Sequence, residues 1–131
     1  MPHKPQLKNE RGQTMVEFAL ALPLICILLF GVVQFGIVYN NYITLTDAVR
    51  AGARKAAVSR SAVDPVGATK TAVVNSGSNI SIANGDITVS SDWQPGHDVT
   101  VTAKYPYTID LLGVITVKTG QLTSTTTERV E

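Results

Sequence analysis

From Phe18 to Tyr39 the chain carries only one strongly polar side chain, Gln34, in a run of 22 residues. At 1.5 Å of rise per residue such a run makes a helix about 33 Å long, enough to cross the hydrocarbon core of a bilayer. Beyond Tyr39 the pattern becomes amphipathic. Tyr42, Leu45, Val49, Ala53 and Ala56 recur at three- and four-residue spacing, while Asp47, Arg50, Arg54 and Lys55 occupy the other side. The spacing predicts one continuous helix from Thr14 to about Ser59, membrane-like in its first half and water-facing on one side of its second. Pro23 is the only proline in that stretch. It removes a backbone donor and crowds the carbonyl four residues earlier, which predicts a kink or a locally melted turn near Ala19 to Pro23. Gly31 and Gly36 are five positions apart, not the four of a GxxxG face, so they specify no dimer motif.

The C-terminal part follows a different pattern. Asp64-Pro65 has the form of an N-cap followed by proline at the first helical position, opening a short helix through Val74 that stops at Asn75-Ser76-Gly77. Val99, Val101, Ala103 and Tyr105 then alternate with Thr100, Thr102 and Lys104. Ile87-Thr88-Val89 precedes them and the Thr-rich run from Gln121 to Val130 follows, with Asn84-Gly85 and Pro95-Gly96 supplying turns. This predicts a small antiparallel sheet of three or four strands. Ile109, Leu111, Leu112, Val114 and Ile115 form an unusually apolar connection that either completes the core or faces a partner. The expected fold is α+β: a long N-terminal helix over 13–60, with a transmembrane part at 18–39, packed by a small globular domain over 61–131. Such a domain is too small to be stable by its own core, so its sheet is expected to lay its apolar face on Tyr42 to Ala57.

Composition narrows the possible chemistry. Charged residues make up 16% of the 131, against about 25% in ordinary soluble domains, and the formal net charge is +1. Residues 61–131 hold four basic residues (Lys70, Lys104, Lys118, Arg129) and seven acidic ones (Asp64, Asp86, Asp92, Asp98, Asp110, Glu128, Glu131), a balance of −3 that argues against nucleic acid as a partner. The single cysteine, Cys26, lies within the apolar run and reads as a small hydrophobe. The histidines are His3, in the basic first dozen residues, and His97, beside a turn. One remaining histidine and one embedded cysteine supply neither a metal site nor a Cys/His nucleophile pair. No glycine-rich phosphate loop or paired catalytic carboxylates stand out, so no enzyme and no cofactor is expected.

Glu17 stands at the entrance of the apolar run, with no other polar side chain for the next 16 residues. A carboxylate near mid-bilayer is costly, by roughly 2.5–3.5 kcal/mol on insertion scales, and calls for a partner or an interfacial place. A glutamate in a first helical turn, favoured there by the helix dipole, is the plain alternative. The residues before it add a second pattern: Arg11-Gly12-Gln13-Thr14-Met15-Val16-Glu17-Phe18 ends a short basic segment in glycine and places a glutamate five residues later. This resembles the class III leader of type IV pilin-like proteins. The stretch from Arg11 to Val58, with Phe30-Gly31, Gln34-Phe35-Gly36, Tyr42 and Ala48-Val49-Arg50-Ala51-Gly52-Ala53-Arg54, is similar to the TadE-like minor pilins of tight adherence (Tad) pili. Gly96-His97-Asp98-Val99-Thr100-Val101 and Tyr105-Pro106-Tyr107 resemble the closing segment of that family more loosely.

The resemblance implies a pilin-like structural subunit. Residues 1–12 would be a leader removed by a prepilin peptidase between Gly12 and Gln13, and the subunit would join or prime a pilus used in adhesion. It implies as partners other pilin subunits, that peptidase, the pilus assembly machinery and, before assembly, membrane lipid. It also gives Glu17 a purpose: the new amine on Gln13 of an incoming subunit would meet the neighbour's carboxylate and set axial register. Basic residues are tied at three on either side of the span. Orientation therefore follows from the leader, whose peptidase works at the cytoplasmic face of the inner membrane, placing the N-terminus inside and the sheet outside before export to a cell-surface pilus. Mature type IV pilins commonly begin with an aromatic residue, whereas Gln13 stands here. The rival reading is an uncleaved, single-span membrane-anchored extracytoplasmic binding module.

Overall fold

The computed structural model describes residues 8–111, 113 and 115–131. The beginning of the expected leader, through Leu7, and Leu112 and Val114 of the apolar connection lie outside the described residues. The elements are a long helix α1 (Lys8–Ala57), a short helix α2 (Pro65–Ser76), a 3-10 turn at Asn84–Asp86, and strands β1 (Ile87–Ser90), β2 (Asp98–Leu111) and β3 (Ile115–Arg129). The layout is α+β as expected, with three strands in antiparallel order β1-β2-β3.

α1 starts six residues before Thr14. A lone glycine inside a helix costs only about 1 kcal/mol relative to alanine, so Gly12 does not stop it. The helix also runs through Pro23 as one element, and no turn there is melted. α2 opens as its sequence predicts. Pro65 stands in its first turn, and the Asp64 side chain accepts a hydrogen bond from the Gly67 N–H at 2.9 Å.

The core forms where the second half of α1 meets the sheet. Leu45, Ala48, Val49, Ala53 and Ala56 are buried at helical spacing against Val99, Val101 and Ala103 of β2, with Val73, Ile80, Ile82, Ile87 and Val130 closing the cluster. Tyr42, expected on this stripe, is instead 43% exposed. Gly52 explains how α1 and α2 approach so closely: a Cβ at this position would collide with Cγ2 of Val73. In β2 the side-chain period of two sends Val99, Val101 and Ala103 to the helix and Thr100 and Thr102 outward. The outward pair bond across to Thr127 and Thr125 of β3 at 2.9 Å each.

The apolar connection is the main departure from expectation. β2 continues to Leu111 and β3 begins at Ile115, so most of Ile109 to Ile115 belongs to one long hairpin rather than to a loop. Its ladder is continuous from Asp98↔Arg129 to Leu111↔Ile115, with an irregularity at Ile109/Asp110, and Gly113 turns at φ 69°. Only Gly can take that conformation without strain. The hairpin also reaches further along α1 than Tyr42. The Gln34 side-chain amide donates to the Asp110 carbonyl at 3.1 Å, within the segment expected to be transmembrane.

Candidate assembly face

The exposed half of α1 carries the residues singled out in the sequence. Met15, Phe18, Leu20, Leu24, Leu28, Leu29, Val32 and Phe35 are all exposed, and they project in every direction around the axis. An 18-residue window of this helix has the length and composition to cross a membrane, and none of that window is buried against the rest of the chain. From Phe18 to Val33, where all but the half-buried Cys26 are exposed, such a helix needs apolar surroundings from elsewhere, lipid or other helices.

Glu17 lies on this face one turn beyond Gln13, and the Gln13 side-chain amide donates to its carboxylate at 3.0 Å. The i,i+4 spacing that stacks the two residues comes from the helix itself. Gly12 stands immediately before Gln13 inside α1, and a Cβ there would meet no atom within 4 Å. Pro23 sits inside the same helix, where it leaves one carbonyl of the preceding turn without its backbone donor. The structure thus places Gly12, Gln13 and Glu17 together at one end of the helix and Pro23 further along it. Cys26 is half-buried.

Sequence reasoning gave Gln34 no role. It is half-buried, and it shares a stripe with half-buried Val38 and Asn41 that continues into Leu45. The signal was an amide in an otherwise apolar run, but its partner Asp110 lies 76 residues away in the chain.

A polar depression in the sheet domain is lined by residues including Ser91, Asp92, His97, Asp98 and Arg129. His97 Nδ1–H donates to Asp92 Oδ2 at 2.6 Å, with both side chains more than half exposed. That bond first, and then the Gln94 backbone N–H, hold the Asp92 carboxyl below its ordinary range. Ser91 Oγ donates to the Asp98 carbonyl rather than to His97, so this is no nucleophile relay. Among the described residues, no three or more His, Cys, Asp or Glu side chains gather as metal ligands.

Comparison with protein families matches residues 12–54 to the TadE family, described as TadE-like protein. The match covers nearly all of α1 from Gly12 onward, through both its bare and its packed halves, and none of the sheet. It agrees with the resemblance carried by the Arg11 to Val58 motifs. Neither the curated proteins nor the solved structures gave a match.

Proposed function

We propose that this chain is a non-enzymatic, pilin-like structural subunit of a Tad-type pilus. It enters the cytoplasmic membrane through α1 with its N-terminus inside and its sheet domain outside, loses residues 1–12 to a prepilin peptidase, and joins or primes the filament. The observation that carries this reading is the division of α1 into a half packed by the chain itself and an apolar stretch, Phe18 to Val33, that is exposed throughout except at half-buried Cys26. The TadE-like match over the same helix supports it. In a filament the bare halves would bundle along the axis, exchanging lipid contacts for helix contacts, while the sheet domains decorate the outside.

Glu17 is the register device. Cleavage after Gly12 frees an amine on Gln13, four residues and about 6 Å along the axis from Glu17. An incoming subunit displaced by about that distance sets its own ammonium against the neighbour's carboxylate. With water excluded, the attraction is strong and offsets the desolvation of both groups. In the uncleaved chain the Gln13 side chain is hydrogen-bonded to that carboxylate, giving it a neutral partner within its own helix. The test is to purify the native surface appendage and read the N-terminus of this subunit by mass spectrometry. A chain beginning at Gln13 is expected, and one beginning at Met1 would favour the uncleaved anchor. A bulky substitution of Gly12 should block processing. Glu17→Ala should be processed and fail to assemble, and normal assembly of Glu17→Ala would remove the charge pair from the mechanism.

A further inference from the structure

We propose that the outer edge of β3 is an interaction surface for a second copy of this chain. The two β3 strands pair antiparallel about a two-fold axis at Thr123, with Lys118 of each copy opposite the partner's Glu128. The linkage this makes, between subunits of filaments that run in opposite directions, rests on the reading of the chain as a pilus subunit.

The first support is a contrast between the two edges of the sheet. In the order β1-β2-β3, β3 ends the sheet, and no strand lies beyond it among the described residues. From Thr119 to Thr127 it carries no charge and no proline, and it is rich in threonine, which favours strands. Sheets ordinarily protect such an edge with charge or proline. The other edge is protected in that way: β1 covers β2 at Thr100 to Ala103, and Lys104 and Pro106 follow where it stops. Two β3 strands opposed from Lys118 to Glu128 would fill the open row with about ten backbone hydrogen bonds.

The second support is charge. Lys118 and Glu128 bracket the uncharged run, and neither has a hydrogen bond or ion pair among the described residues. Ten positions apart, they stand about 33 Å from each other along the strand and cannot meet within one chain. Both lie on the side of β3 that carries buried Ser124, since even numbers of positions separate the three. Setting Thr123 opposite the partner's Thr123 places each Lys118 against a Glu128 on the same side of the joined sheet. Sliding the strands by two residues keeps the faces but removes both ion pairs, so charge selects this register.

The third support is the direction of the helices. Asp110, opposite Thr116, is tied to Gln34, and the Glu131 N–H donates to the Ala57 carbonyl at 3.0 Å, so β3 runs along α1 in the same sense. Antiparallel β3 strands therefore carry antiparallel α1 helices, whose bare halves leave the pair at opposite ends. α1 packs on β2 and β3 alike, which sets the two axes about 10 Å apart, two strand spacings and an ordinary distance between packed helices. Neighbours in one filament or one membrane point the same way and cannot meet like this, whereas subunits of two oppositely directed filaments can.

The test uses the full chain in dodecylmaltoside, with Cys26→Ser as background. Sedimentation should show a monomer–dimer equilibrium. Mild oxidation should link Thr123→Cys to itself, because opposed Cα atoms lie about 4.5–5.5 Å apart, within disulfide reach. Thr119→Cys and Thr127→Cys should link to each other when mixed and stay unlinked alone. Lys118→Glu and Glu128→Lys should each weaken the dimer about tenfold, as two attractive pairs become repulsive. An equimolar mixture of those two variants should recover the native affinity, since opposite charges then face each other at both ends, and recovery also shows that both variants fold. A monomer at every concentration, a dimer without the Thr123→Cys link, or charge variants that dimerise as the native chain does or are not rescued by mixing each overturns the proposal. None of these outcomes touches the pilin reading, which stands or falls on an N-terminus at Gln13.

Discussion

Leu28 and Leu45 lie on one helix, the first 62% exposed and the second fully buried. The upper half of α1 meets the sheet and α2 through small residues, Ala48, Gly52, Ala53 and Ala56, and these let the layers approach while Leu45 and Val49 fill the remaining space. The lower half carries many large side chains, Leu20, Ile27, Leu29 and Phe30 among them, and these stay 41–75% exposed among the described residues. Apolar content alone therefore does not say where the core is. What separates the halves is side-chain size and the polar residues on the far face of the upper half, Asp47 and Arg50 being ion-paired there at 3.4 Å in solvent.

The strongest challenge to this contrast is a pair of matched truncations in mild detergent, followed by urea unfolding through the fluorescence of Trp93, which packs against the core. Leu45→Ala should cost about 2–5 kcal/mol because it empties a closed site. Leu28→Ala should stay within about 0.5 kcal/mol, since detergent flows into the space it leaves. Comparable losses would mean that the lower half also packs against the domain. Next in size is Gly52→Val. Its side chain must displace Val73, and the expected cost of about 1–3 kcal/mol would appear as separation of α2 from α1.

The two halves also differed in how legible they were. The long helix was readable because local periodicity writes it, and the TadE-like match over Gly12 to Arg54 falls on the same segment. The α2 start was readable because Asp64-Pro65 is a local signal. Strand alternation from Val99 to Tyr105 was readable for the same reason. The hairpin's far half was not. Ile109, Leu111 and Ile115 flank Leu112-Gly113-Val114 in a run with no polar side chain from Leu111 to Ile115, so the stretch resembled a connection, and pairing with the partner strand is what makes Ile109, Leu111 and Ile115 ladder residues. Gln34 and Tyr42 were misjudged together, since where the hairpin lies on the helix depends on tertiary packing. Of the residues singled out at the candidate site, Gly12, Gln13 and Glu17 came from a motif, whereas the Gln13–Glu17 hydrogen bond is visible only in the geometry.

A smaller effect tests whether α2 is held by its own cap or by α1. Asp64→Ala removes the acceptor for the Gly67 N–H and should cost about 1 kcal/mol. Amide exchange should quicken in the first turn of α2 and leave the buried Thr69 and Val73 side of the helix protected. Loss of protection throughout α2 would instead show that the cap governs its docking onto α1.

The smallest effect concerns acid, and it bears on the domain rather than on the bare half of the helix. The Asp92 carboxyl is held below its ordinary value of 3.8, chiefly by the His97 hydrogen bond and then by the Gln94 N–H. A folded value below the unfolded one means that the contribution is fully present above about pH 4. It is lost as pH falls through the lowered folded value. Both side chains are more than half exposed, so the effect is confined to the turn between β1 and β2. Between pH 5 and pH 2, protection of the His97 and Gly96 amides, taken relative to the intrinsic exchange rate at each pH, should fall more steeply in the native chain than in Asp92→Asn, which has no carboxylate to protonate. Helicity from α1 should hold across the same range if the two halves are as independent as their surfaces indicate. Acid melting of α1 in step with this turn would show instead that the sheet's far end supports the whole rod.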